Sequence, residues 1–235
     1  MKTHEKSIIA VLFLPIIFLS CKKNEPIYKE YKFDFNEGLQ GWNILFSDYP
    51  IGDESDFELS IEHTRLPVPL DTSIRSIKVS GNNHSDDLLS MLYRKIDGLA
   101  PNATYRVGFN VDFASNACKS CAGAGGSPDL CLGAGAISFE PKNETSSGTV
   151  PYYRPNFSSE IQGCQSNSSF KVLGRIGVGS GSNIPYALVN LNSDDNLISI
   201  TTNSSGELWV LIGTDSGYEG MTTIFYKQIT VRVKE

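Results

Sequence analysis

Tyr105-Arg106-Val107-Gly108-Phe109-Asn110-Val111-Asp112-Phe113 is the stretch on which the fold turns. Apolar and polar or small residues alternate with a period of two, which puts each kind on its own face of a strand. A helix would scatter the same five apolar side chains around its axis. The pattern returns on both sides. Phe57, Leu59 and Ile61 alternate with Glu58, Ser60 and Glu62, and Ile229, Val231 and Val233 alternate with Thr230, Arg232 and Lys234. Each such run predicts a strand with one dry and one wet face. Leu208-Trp209-Val210-Leu211-Ile212 is apolar throughout and predicts a central strand covered on both faces.

No segment predicts a helix. The nearest candidate, 86–96, contains Ser90-Met91-Leu92-Tyr93-Arg94, which reads as strand, and it stops at Gly98. Turn signals such as Gly81-Asn82-Asn83, Asp97-Gly98, Pro101-Asn102 and Asn203-Ser204-Ser205-Gly206 separate the apolar runs. Short strands punctuated in this way predict an all-β chain, a jelly-roll β-sandwich of about eight to ten strands. The stretch 116–183 breaks the pattern. It is rich in glycine, holds Cys118, Cys121, Cys131 and Cys164, and shows few long strands, so it predicts a cysteine-containing loop insertion.

The N-terminus carries a different signal. A charged start from Met1 to Lys6 leads into an apolar run from Ser7 to Ser20, interrupted by Pro15 and closed by Cys21. A spanning helix needs about 20 apolar residues, so the run fits a cleaved export signal of the lipoprotein type better than the alternatives, a plain signal peptide or an uncleaved anchor. Phe18-Leu19-Ser20-Cys21 resembles the cleavage site of bacterial lipoprotein precursors. Phe18 and Leu19 depart from it, standing where leucine and a smaller residue are usual, whereas Lys22-Lys23 is a common sequel. The resemblance implies cleavage before Cys21, acylation of that cysteine, and attachment to the membrane of the bacterial cell envelope, at the outer membrane. The expected division is a signal peptide over 1–20, a polar tether over 21–30 and one sandwich domain over 31–235.

Loss of the first twenty residues, with Lys2, Glu5 and Lys6, takes the net charge from −6 to −7. An acidic chain poor in Lys and Arg argues against nucleic acid as a partner, because such binding rests on neutralising phosphates. With Cys21 taken by lipid, Cys118, Cys121, Cys131 and Cys164 remain. An even number in an exported protein predicts two disulfides, and three pairings are open. Cys118-Lys-Ser-Cys121 also fits half of a zinc site, but no second CxxC completes it. The glycines after Cys121 make a loop, not the helix start that a thioredoxin-type thiol needs.

Three segments resemble carbohydrate-binding modules of the galactose-binding-like jelly-roll fold. Tyr31-Lys32-Phe33-Asp34-Phe35 followed by Gly38-Leu39-Gln40-Gly41-Trp42 is similar to their opening strand and Gly-Trp turn. Gly98-Leu99-Ala100-Pro101 with Tyr105 is similar to a corner at a strand entry, where the tyrosine hydroxyl bonds backbone. Gly213-Thr214-Asp215-Ser216-Gly217-Tyr218-Glu219-Gly220 precedes a last strand, which in these modules often returns beside the first. The resemblance implies the jelly-roll fold, non-catalytic binding of a glycan, and a structural calcium. Asp34 and Glu37 with Asp215 and Glu219 are the carboxylates that such an ion would use; otherwise they are ordinary surface groups.

The densest polar run is Asn82-Asn83-His84-Ser85-Asp86-Asp87. The groups of Asn82, Asn83, His84, Asp86 and Asp87 can hydrogen-bond sugar hydroxyls, with Trp42, Tyr49, Tyr152, Tyr153 or Tyr218 as an aromatic platform. The competing reading is a solvated turn in which Asn and Asp serve backbone geometry. Enzyme motifs are thin. Only His63 and His84 follow the leader, Asp215-Ser216-Gly217 lacks the flanks of a serine nucleophile, and no G-x-S-x-G elbow occurs. Glu58 and Asp86 are nominal partners for a glycosidase pair. A polysaccharide-acting hydrolase or lyase is the alternative to binding, and a purely structural or adhesive envelope protein is the third reading.

Overall fold

A computed structural model describes residues 29–193 and 196–235. The leader, Cys21 and most of the tether lie outside the described residues. Fourteen strands follow in order: β1 (Lys29–Asp34), β2 (Asn43–Ser47), β3 (Ser60–Arg65), β4 (Arg75–Asn82), β5 (Leu88–Ile96), β6 (Thr104–Ser115), β7 (Cys131–Ile137), β8 (Asn143–Thr145), β9 (Tyr153–Pro155), β10 (Phe170–Arg175), β11 (Ala187–Asn192), β12 (Ile198–Thr201), β13 (Leu208–Ser216) and β14 (Met221–Lys234). Among the described residues the one helical piece is a 3-10 turn, Phe35–Glu37.

Two antiparallel sheets face each other. The first runs β11-β6-β14-β4-β3, with β12 beside β11 along β6 and β1 beside β4 along β14. The second runs β10-β7-β13-β5-β2. The last strand therefore returns beside the first, with Phe33 opposite Ile229. Tyr105, Val107, Phe109, Val111 and Phe113 of β6 all point into the space between the sheets, as the alternation predicts. They meet Leu208, Val210 and Ile212 of β13 and Leu132, Ala134 and Ala136 of β7. The corner is also present: the Ala100 amide donates to the Tyr105 hydroxyl at 3.0 Å.

Three expectations change. The described residues form fourteen strands, more than the eight to ten expected. Phe57 is not on a strand; it sits in a turn before β3 and packs on Tyr49 and Leu88. The segment 116–183 carries both disulfides and is mostly loop, but it also supplies β7 and β10 to the second sheet. β7 was hidden because its sequence, Cys-Leu-Gly-Ala-Gly-Ala-Ile, uses glycine where a strand usually shows a branched or aromatic residue. The glycines are required by what lies over them. A Cβ at Gly133 would come within 2.2 Å of Ile161, and one at Gly135 within 2.3 Å of the Phe170 ring.

Those two side chains belong to a cover on the outer face of the second sheet. Residues 156–169 form a strap, and Ile161 and Phe170 pack with Leu89, Met91, Trp209 and Leu211 in a second apolar cluster. The β13 core run is thus covered on both faces, as its composition predicts. The bridge from Cys131 on β7 to Cys164 fastens the strap, and Cys118 pairs with Cys121.

Candidate functional site

The row Asp215–Leu89–Ser47 crosses three adjacent strands of the second sheet on its outer face. Asp48 follows Ser47 at the end of β2, and Asp87 precedes β5 by one residue. Alternation puts Asp87 on the same face as Leu89. Three carboxylates therefore gather at one end of the sheet, from segments far apart in the chain. Arg154 on β9 answers two of them, at 2.7 Å from Asp48 and 3.0 Å from Asp87. Its guanidinium also lies over the Tyr152 ring, 4.9 Å from the centroid. Asp215 Oδ2 accepts from the Ser159 hydroxyl on the strap at 3.0 Å, whereas Oδ1 is buried with no hydrogen-bond partner.

Burial dominates the acidity of this group. It raises the Asp48 carboxyl to about 6, outweighing the Arg154 contact that pulls the other way. Burial also raises Asp215 to about 6, against the Ser159 hydroxyl and with the charges of Asp87 and Asp48 adding to it. Both groups hold protons more tightly folded than unfolded. The stability this confers is full below the ordinary value of 3.8 and is lost as pH rises through about 6. The melting temperature should therefore fall between pH 4 and pH 7, and Asp215→Asn should flatten that slope and raise stability at pH 7 by on the order of 2–3 kcal/mol at most. A variant that melts below the wild type at pH 7 would contradict this.

Beside the carboxylates lies an open groove of about 530 Å³, bounded by Arg154, Phe157, Gln162, Gln165, Asp48 and Asp215. Phe157 is half-buried and stacks on Phe170, with ring centroids 5.3 Å apart. Gln162 reaches across to donate to the Asp86 carbonyl at 2.7 Å. The strap thus forms one wall of the groove, and the sheet end forms the other.

The residues nominated from sequence divide. Asp87 and Asp215 belong to this cluster, Asp215 here rather than among the carboxylates expected for calcium. Asp86 is exposed at its rim, and His84 is exposed with its ring edge-on to Phe57. Asn82 donates to Glu58 at 2.8 Å, so both are engaged with each other. Asn83 is a correction. It is buried, its amide nitrogen donates to the Ser216 and Tyr218 carbonyls, and its oxygen accepts from Ser85. It locks the loop and has no capacity left for a ligand. Trp42 is a second correction: 2 % exposed, it packs edge-on against Phe33 and Phe35 between the sheets. A lone tryptophan after a Gly turn suits either a platform or a core plug, and only packing distinguishes them.

The four carboxylates named for calcium do not form one set. Asp34 pairs across from Gln228, whereas Asp215 and Glu219 lie near Met221 at the other end of the same strand. The offset is seven residues, about 23 Å at the rise of a strand. Asp34 also caps the 3-10 turn, accepting from the Asn36 amide, and Glu37 is exposed. Among the described residues no three His, Cys, Asp or Glu side chains are grouped to hold a metal ion. Sequence reasoning missed Asp48 and Arg154, which have no motif around them; their only signal is that each borders an aromatic pair of tyrosines or a turn.

No protein-family model matches the sequence, and no curated protein matches it. Solved structures show distant likeness. The CBM22-1 xylan-binding domain from Paenibacillus barcinonensis Xyn10C is 8% identical over 90% of this chain and 98% of its own, with a TM-score of 0.41. The K3 cleaved adhesin domain of Lys-gingipain from Porphyromonas gingivalis is 11% identical over 87% of this chain and 98% of that one, with a TM-score of 0.38. The enzymatically active domain of bacteriophage CBA120 tailspike protein 4 is 10% identical over 83% of this chain, with a TM-score of 0.34, and this chain spans 20% of its length. Likeness at this level says nothing about a ligand.

Proposed function

We propose that this protein is a lipid-anchored carbohydrate binder of the bacterial envelope that does no chemistry on its ligand. The observation that carries the reading is the groove itself. It sets a guanidinium, two side-chain amides and carboxylates around one open surface with a half-buried aromatic ring. Planar donors and acceptors of this kind match neighbouring hydroxyls two at a time, and a ring face suits the apolar C–H side of a sugar. The anchor rests on the Cys21 signal in the sequence.

Binding is favoured over hydrolysis by the way the carboxylates are held. Asp48 is nearly enclosed and paired with Arg154, and Asp215 is tied to Ser159. They serve as walls that orient other groups. Neither histidine reaches them: His63 bonds the Phe35 carbonyl at 2.7 Å and His84 faces Phe57. One observation does favour a hydrolase as a second reading, namely two carboxyls raised to about 6 beside a groove, the setting of a general acid.

Titration against a panel of neutral polysaccharides is expected to give saturable binding with no release of reducing ends. Arg154→Ala should weaken it by about ten- to a hundredfold, the scale of lost hydrogen bonds to a charged donor. A blank panel at high protein concentration would remove the binding reading. Release of reducing ends that Asp215→Asn abolishes would establish the second.

A further inference from the structure

The two disulfides are built differently. Cys131–Cys164 spans 33 residues, starts on a buried strand and fastens the strap. Cys118–Cys121 spans three residues. A bridge that closes so short a loop removes little freedom from the unfolded chain, so it contributes little to stability compared with its longer partner. Its segment is also held without it. The Lys119 amide donates to the Gly179 carbonyl at 2.6 Å, the Val178 amide donates to the Ala117 carbonyl at 3.0 Å, and the Glu219 backbone amide donates to the Ala124 carbonyl at 2.9 Å. Residues 119, 120 and 122–126 around it are exposed, Cys121 is half-buried, and Cys118 is buried. Both cysteines line an open cleft of about 460 Å³ with Asn116, Asn183, Ile184 and Tyr218, wide enough for an incoming thiol.

We propose that Cys118–Cys121 is a thiol–disulfide exchange site that accepts electrons from an external dithiol, with attack at the Cys121 Sγ. In the first step a thiolate of the dithiol bonds to Cys121 Sγ, the Sγ–Sγ bond breaks, and Cys118 leaves as a thiolate that takes up a proton. In the second, the other thiol of the dithiol, having lost its proton, attacks its own partner sulfur and releases Cys121. Two electrons and two protons pass to Cys118 and Cys121, and the dithiol leaves as a disulfide. No helix start stabilises either thiolate among the described residues, so the site exchanges stoichiometrically and does not turn over quickly. The surrounding backbone bonds keep the sandwich folded in the reduced form.

The test is graded reduction of the full chain with dithiothreitol in native buffer, quenched by alkylation and mapped by mass spectrometry. Cys118 and Cys121 should be labelled at least about tenfold faster than Cys131 and Cys164, with an unchanged far-ultraviolet spectrum, because access governs the rate. In a second arm, Cys118→Ser should capture glutathione at Cys121 faster than Cys121→Ser captures it at Cys118. Simultaneous labelling of all four, earlier labelling of Cys131 and Cys164, unfolding when the short bridge opens, or equal capture by the two variants would each overturn the proposal.

Discussion

Gly135→Val is expected to strip the strap from the second sheet, lower stability by about 3–5 kcal/mol and abolish ligand capture together. Gly135 faces outward on β7, opposite Phe170 on β10 and opposite Leu211 on β13. Phe170 is fully buried and rests its ring where a Cβ would stand. Valine is the better strand former, by up to about 1 kcal/mol in a host sheet. Expelling a buried phenylalanine costs about as much as truncating one, roughly 3–5 kcal/mol, so the clash wins. The consequence reaches the groove because Phe157 stacks on Phe170, and Ser159, two residues further along the strap, holds Asp215. Denaturant unfolding and glycan titration on the same preparation measure both effects. A variant as stable as the wild type would show that the strap does not rest on the sheet in this way.

Trp42→Ala should cost a similar 3–5 kcal/mol and leave the affinity of the folded fraction unchanged. Trp42 lies at the end of the sandwich away from the carboxylate cluster, edge-on to Phe33 and Phe35, and its indole N–H is buried without a partner. Trp42→Phe keeps an aromatic ring and removes that unpaired donor, whose burial costs about 1–3 kcal/mol, so it should lose much less. A loss of affinity in Trp42→Ala beyond the unfolded fraction would return this residue to the ligand site. The pair of substitutions separates two roles that composition cannot: Gly135 supports fold and groove, whereas Trp42 supports the fold alone.

The all-β class was written into residues 105–113, 208–212 and 229–233, because a period of two is a local property that survives any tertiary arrangement in which one face is dry. The Tyr105 corner, which the resemblance implied, is likewise local, since its partner lies five residues away. β7 was not. Its glycines have no preference for a strand and make sense only beneath Ile161 and Phe170, which come from a segment further along the chain. The disulfide pairing was open for a like reason, as a count of cysteines carries no distances.

The candidate site shows the same division. Asp87 stood in a polar run that sequence marks, and Asp215 in a turn-like one, but nothing in either run says that they meet. Asp48, Asp87 and Asp215 converge because β2, β5 and β13 are neighbours in register, and Arg154 joins them from a short strand in the cysteine-rich stretch. By itself, then, the sequence determined the all-β class, the dry face of the strands at 105–113, 208–212 and 229–233, and which stretch carries the cross-links, all of them local properties of residue order. The tertiary structure alone decided which carboxylates share a field and that Trp42 is core. Burial and pairing depend on strand order and register, which link residues that the chain keeps far apart.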